Sequence, residues 1–131
     1  QQQNSKEVQA GLAQITSDLQ EIKAVADAYN VEVMVLSMPA KLYISEQKVE
    51  YARRHLAMQL PADLLSTNVS DSIYSQAAQE ADLPICLFTT AFLQAADTLE
   101  LYHSIDGHFT TTGNALFATV VSPQIEAALL D

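Results

Sequence analysis

The sequence predicts an α/β fold of long helices and parallel strands. Three observations predict it. Residues 5–29 carry apolar side chains at helical spacing. Two short runs, near 31–38 and 84–88, are almost continuously apolar. Further long helical stretches follow each of them, near 45–60 and 111–129. A strand, a long helical connection and a second strand imply parallel pairing with a right-handed crossover.

The first helix rests on Val8, Leu12, Ile15, Leu19, Ile22, Ala26 and Tyr29, which recur every three or four residues. Lys6, Asp18, Glu21, Lys23 and Asp27 fall between them, so one face is apolar. The stripe also suits a short coiled coil, but a helix packed on a sheet is the preferred expectation. Asn30 is placed to end it as a C-terminal cap.

Val31-Glu32-Val33-Met34-Val35-Leu36-Ser37-Met38 is valine-rich and nearly free of charge, as in a strand buried on both faces. Pro39 stops it, and Lys41 and Tyr43 lie in the loop just beyond. Open α/β folds place their sites where strands end. Ser45 can cap a helix to about Leu60, with Val49, Ala52 and Leu56 buried and Arg53, Arg54 and His55 near its end. Residues 61–70 read as a loop with a short turn at 62–65, and Asn68-Val69-Ser70 matches a glycosylation acceptor by a frequent pattern.

Asp71 to Ala81 reads as a short helix. Leu83-Pro84-Ile85-Cys86-Leu87-Phe88 is the second strand, with proline at its start. Thr89 and Thr90 can cap a helix over 91–96, and residues 99–103 form a brief extended piece. Thr110 can cap the last helix. Ala115, Leu116, Ala118, Val120, Val121, Ile125, Ala128 and Leu129 predict that it is mostly buried, and Pro123 that it is kinked or split. Two strands alone make an unstable sheet. Either a partner chain supplies more strands, or these residues are the back half of a larger domain; the opening Gln1-Gln2-Gln3-Asn4, without Met, is expected to lie within a longer product.

Composition bounds the function. With 131 residues and 49% hydrophobic content, the chain can bury a core as one domain or part of one. A net charge of −10 with only six Lys and Arg argues against nucleic acid and anionic membranes, which need clustered cations. No apolar run approaches a membrane span, and no signal peptide pattern opens the chain. The single cysteine, Cys86, sits in an apolar run and reads as a buried small hydrophobe.

The stretch with chemistry is Ile105-Asp106-Gly107-His108-Phe109-Thr110-Thr111-Thr112-Gly113. Asp106 and His108 stand two residues apart in a tight turn before a helix. A carboxylate can fix the tautomer and direction of an imidazole, which can then take a proton from a nucleophile. Asp-Gly is also a common turn dipeptide with no chemistry. His55 and His103 lack close ligand spacing, so neither a metal nor another cofactor is expected. Ser37, Ser45 and Ser104 are among the serines that could act as a nucleophile. Ser37 comes nearest, but no glycine-lined sharp turn surrounds it.

The block from Asp106 to Ala115 resembles the C-terminal block of the SGNH hydrolases, the GDSL lipase/esterase superfamily. There an Asp and a His precede a glycine and an alanine-rich helix. Val33 to Tyr43, with Met38-Pro39-Ala40-Lys41, is similar to the family's apolar strand ending in Pro-x-Lys. Leu83 to Ala96 is similar to the strand and turn before the Asp/His block, and the first helix to the one after the third motif. The resemblance covers nearly all of this chain but only the second half of the family's domain. It implies the back half of a three-layer α/β/α, flavodoxin-like domain.

The departures matter as much. Gly11 is the only glycine before residue 107, no Gly-Asp-Ser occurs, and the oxyanion-hole Gly and Asn are missing. Many members place Asp three residues before His, where this chain has Ile105. The shorter spacing occurs in the branch related to polysaccharide O-acetylation. Cys86-Leu87-Phe88-Thr89 stands where many members have Asp-Leu-Thr-Pro.

The resemblance therefore implies a serine esterase or O-acyl(acetyl)transferase portion. His108 would be general base and acid, Asp106 its orienting group, and the nucleophilic serine is expected upstream. The implied substrate is a small-molecule or glycan ester, in a periplasmic or extracellular setting. Alone, the chain is not expected to be active. The alternative is a non-catalytic SGNH-like binding or assembly module, dimeric through the first helix.

Overall fold

Helices dominate because most of the sequence is patterned at helical spacing: they make up most of the described residues, beside a two-stranded parallel sheet. The computed structural model describes residues 6–60 and 62–130. Gln1–Asn4, Ser5 at the expected start of the first helix, Pro61 at the start of the expected loop, and the side chains of Ala128 and Leu129 lie outside the described residues.

The elements run α1 (Lys6–Ala28), β1 (Val35–Ser37), a 3-10 turn (Lys41–Ile44), α2 (Glu46–His55), α3 (Leu64–Thr67), α4 (Val69–Glu80), β2 (Ile85–Leu87), α5 (Thr89–Ala96) and α6 (Thr111–Leu130). β1 pairs with β2. The chain divides into two compact units, one running up to Ser37 and then over Val69–Cys86, the other comprising Met38–Asn68 and the residues from Leu87 onward.

In the first unit, α1 packs on α4. Leu12, Thr16 and Ala26 are the buried positions of α1, and Asp71, Ala77 and Ala78 those of α4. The small Ala77 and Ala78 suit close packing of helices. Thr16 Oγ1 donates to Glu80 Oε2 at 3.3 Å, and Gln20 Nε2 donates to the Glu80 carbonyl at 3.2 Å. The expected stripe is thus used, but against a helix rather than a sheet. Toward its far end only Ala26 is buried: Ile22 and Tyr29 are exposed, with Val25 beside them.

Both long helices of this unit stop by the same device. Asn30 adopts a left-handed φ of 55° and Val31 N–H reaches back to the Ala26 carbonyl at 2.9 Å. Asp82, also at φ 55°, lets Leu83 N–H reach the Ala78 carbonyl at 2.9 Å. Each satisfies carbonyls that the last turn leaves without a partner. Asn30 therefore caps α1 as its sequence position predicts.

The strands are shorter than expected. β1 covers three of the eight residues predicted, because β2 offers only Ile85–Leu87 to pair with. Val31, Leu36 and Met38 are exposed, so the run is not buried on both faces. Cys86 is completely buried, as its apolar surroundings predict.

In the second unit, Ser45 caps α2 as expected, accepting from the Lys48 N–H at 3.4 Å. Val49 and Ala52 are buried, but Leu56 is exposed. The helix ends at His55 rather than near Leu60, where Ala57 turns left-handed at φ 50°. No buried position follows Ala52 in this segment to reward further helix. The core is aromatic. Phe88 and Phe92 are completely buried, Phe88 stacks on Phe117 with ring centres 4.6 Å apart, and Phe109 meets Phe92 at 5.2 Å and Tyr102 at 4.9 Å.

Two expectations for the last helix are corrected. α6 runs through Pro123 as one continuous helix, so the expected split does not occur. Pro123 removes only the amide that would donate to the Thr119 carbonyl, while the carbonyls on either side keep side-chain donors: Ser122 Oγ to Ala118 at 2.7 Å and Gln124 Nε2 to Val120 at 3.2 Å. Nor is α6 mostly buried: among its described side chains only Gly113 and Val121 are, and Ile125 is exposed. No described helix is long and apolar enough to cross a membrane.

Candidate functional site

The Asp-Gly-His stretch forms the tip of a short hairpin that feeds directly into α6. Tyr102 and Phe109 face each other in an antiparallel bridge. Below it, Thr110 N–H donates to the Leu101 carbonyl at 3.0 Å; above it, His103 N–H donates to the His108 carbonyl at 3.0 Å. Leu101 and Tyr102 are buried, while every residue from His103 to His108 is exposed. The hairpin thus has an apolar root and a solvent-facing tip.

Thr110 joins hairpin to helix. Its Oγ1 accepts from the Gly113 N–H at 3.0 Å and donates to the Glu100 carbonyl, while its own carbonyl accepts from the Asn114 N–H at 2.9 Å. This is the cap expected from sequence. Gly113 is required by space: a Cβ there would lie 2.1 Å from the Leu101 carbonyl oxygen. Gly107 differs. Its φ is not positive and a Cβ would meet nothing within 4 Å.

At the tip, Asp106 grips His108 twice. Oδ1 accepts the His108 backbone N–H at 3.0 Å, and Oδ2 lies 3.1 Å from Nδ1. The backbone N–H, and then the imidazole, hold the Asp106 carboxyl below its ordinary value. A neutral imidazole bonded to a carboxylate through Nδ1 carries its proton there, which leaves Nε2 as an acceptor. The His108 side chain is 86% exposed, so Nε2 is open to a partner; the Asp106 side chain is 51% exposed.

The structure therefore brings Asp106 and His108 together. The other candidate residues have different settings. Ser37 is buried in β1. Ser45 is occupied as the cap of α2, and Ser104 is exposed in the turn. His55 is exposed and lies against Tyr51, with ring centres 4.7 Å apart. Among the described residues no three His, Cys, Asp or Glu side chains gather as a metal site.

Two contacts were not legible in the sequence. Lys41, read as a loop residue, donates from Nζ to the His103 carbonyl, and the Tyr102 hydroxyl donates to the Pro39 carbonyl. Burial pushes the Tyr102 phenol up to about 12. Nothing in the spacing links residues 39–41 to 102–103, some sixty positions on; only the fold does. Compared with models of known families, with curated proteins and with solved structures, the chain matches none.

Proposed function

We propose that these residues are the Asp/His portion of an SGNH-type serine esterase or O-acyltransferase, acting on an ester-linked acyl group such as an acetyl group on a glycan. One observation carries the reading. Asp106 Oδ2 lies 3.1 Å from His108 Nδ1, on an imidazole whose other nitrogen is open. That is the geometry a general base needs: one nitrogen tethered and oriented, the other free.

The chemistry follows from that geometry. A serine Oγ–H hydrogen bonded to His108 Nε2 gives up its proton as Oγ attacks the acyl carbonyl. Asp106 stabilises the imidazolium that forms. Nε2–H then protonates the departing alkoxide, leaving an acyl-enzyme that water or a second hydroxyl resolves through the same nitrogen. The serine and the donors for the oxyanion come from outside residues 1–131. A sheet of two strands with Leu36 and Leu87 exposed, and an α6 with few buried positions, suit a domain completed by further strands and helices.

The second reading is a non-catalytic binding or assembly module of the same kind. The exposed Ile22 and Val25 on α1, with Tyr29 just past its end, favour it, because they leave apolar side chains uncovered beside the α4 contact.

The experiment is an acetyl-ester hydrolysis assay on the product of the complete reading frame, with His108→Ala beside it. The variant is expected to lose about 10³-fold or more in rate. Near-normal activity in it would sink the assignment. A complete frame without Gly-Asp-Ser in either direction, and with no hydrolysis, would favour the binding module.

A further inference from the structure

We infer that Lys41 is a positioning residue for the Asp106–His108 turn, its ammonium holding the hairpin by the His103 carbonyl. The importance of a correctly held turn rests on the esterase reading above; the contact itself does not.

The hairpin's inner side is set by packing. Tyr102 and Phe109 sit against Phe92, with Phe117 beyond Phe109. The outer tip has no such support, since residues 103–108 are all exposed. What reaches it is the segment after β1. Pro39 accepts from the Tyr102 hydroxyl and Lys41 donates to His103, so residues 39 and 41 hold two successive residues of the hairpin. That segment is itself well founded. Pro39 is buried, and Lys41 opens a 3-10 turn whose Ile44 is buried and which packs on α2, α3 and α5.

The line of contacts runs through His108 to Asp106. Lys41 Nζ holds the carbonyl of His103, and His103 N–H donates to the carbonyl of His108 at 3.0 Å. His108 N–H in turn donates to Asp106 Oδ1 at 3.0 Å. Releasing Lys41 frees the outer strand of the hairpin, and with it the direction in which His108 points. A displacement of the base by about 1 Å is enough to lower a rate about a hundredfold.

The test is amide hydrogen exchange by NMR on this chain, with Lys41→Met and Lys41→Arg. Lys41→Met is expected to speed exchange at the His103 and His108 amides about tenfold, the loss of one hydrogen bond to a charged group. Val31 and Leu83, in the helix caps of the other unit, should not change. Lys41→Arg should restore slow exchange. Unchanged exchange at His103 and His108 overturns the inference. Uniform acceleration at all four amides overturns it too, since Lys41 is then a general stability residue.

If Lys41→Met does not fold, the unaltered chain decides. A slowly exchanging Lys41 ammonium coupled to the His103 carbonyl supports the contact, and a freely exchanging one overturns it. In the complete protein, Lys41→Met should lower kcat and leave KM. A raised KM with normal hairpin exchange makes Lys41 a substrate contact instead and overturns the positioning role. Absence of any esterase activity counts against the functional reading alone, because the exchange result stands without it.

Discussion

Asp106 holds His108 by backbone and side chain together, Oδ1 on the amide at 3.0 Å and Oδ2 near Nδ1 at 3.1 Å. A two-residue spacing makes this grip possible. The carboxylate of residue i reaches the amide of residue i+2 as in an Asx-turn, and the same turn brings the imidazole back over the second oxygen.

The grip is pH-dependent. The folded Asp106 carboxyl lies below its ordinary value of 3.8. A lowered folded value means that the contact contributes at pH above the unfolded value and is lost as pH falls through the folded one. Carboxyl NMR shifts should show Asp106 titrating below 3.8, and His108→Ala should move it up. Because the pair is exposed, its contribution to global stability is small. The hairpin amides, not the unfolding midpoint, should report the change.

Gly113 and Gly107 should respond oppositely to alanine. At Gly113 the new Cβ meets the Leu101 carbonyl at 2.1 Å, so hairpin and helix must part. A loss of about 2 kcal/mol is expected in urea unfolding, in the range of overpacked sites. At Gly107 a Cβ meets nothing within 4 Å and no positive φ is involved. Gly107→Ala should stay within about 0.5 kcal/mol of the unaltered chain.

Gly11 offers a gain. It lies inside α1, is exposed, and has nothing within 4 Å of an added Cβ. Gly11→Ala should stabilise by about 0.5–1 kcal/mol, because alanine restricts the unfolded chain and favours helix. A higher urea midpoint with an unchanged slope is the expected result.

Tyr102→Phe removes the hydroxyl that donates to the Pro39 carbonyl and keeps the ring against Phe92 and Phe109. A loss of about 1 kcal/mol is expected, typical of one buried hydrogen bond. In the unaltered chain, one tyrosine should ionise only near pH 12 in an ultraviolet titration, and that step should vanish in the variant.

Local chemistry was legible in the sequence wherever neighbours along the chain decide it. Asn30 as the cap of α1, Ser45 as the cap of α2, Thr110 as the cap of α6 and Cys86 as a buried side chain all stand where residue type and pattern place them. The pairing of Asp106 with His108 belongs here too, since a turn of four residues suffices to make it.

Tertiary structure decided the rest, because it depends on what lies opposite. The apolar run at 31–38 became three residues of strand for want of a longer partner, and α2 stopped at His55 once no buried position followed. The stripe of α1 met α4 rather than a sheet. Gly113, in the first turn of α6, is demanded by the carbonyl of Leu101 twelve residues earlier. Lys41 and Pro39 found His103 and Tyr102 across the chain. Sequence periodicity reports which face of an element is apolar; which surface covers that face, and which distant side chain steadies a turn, is settled only when the elements pack.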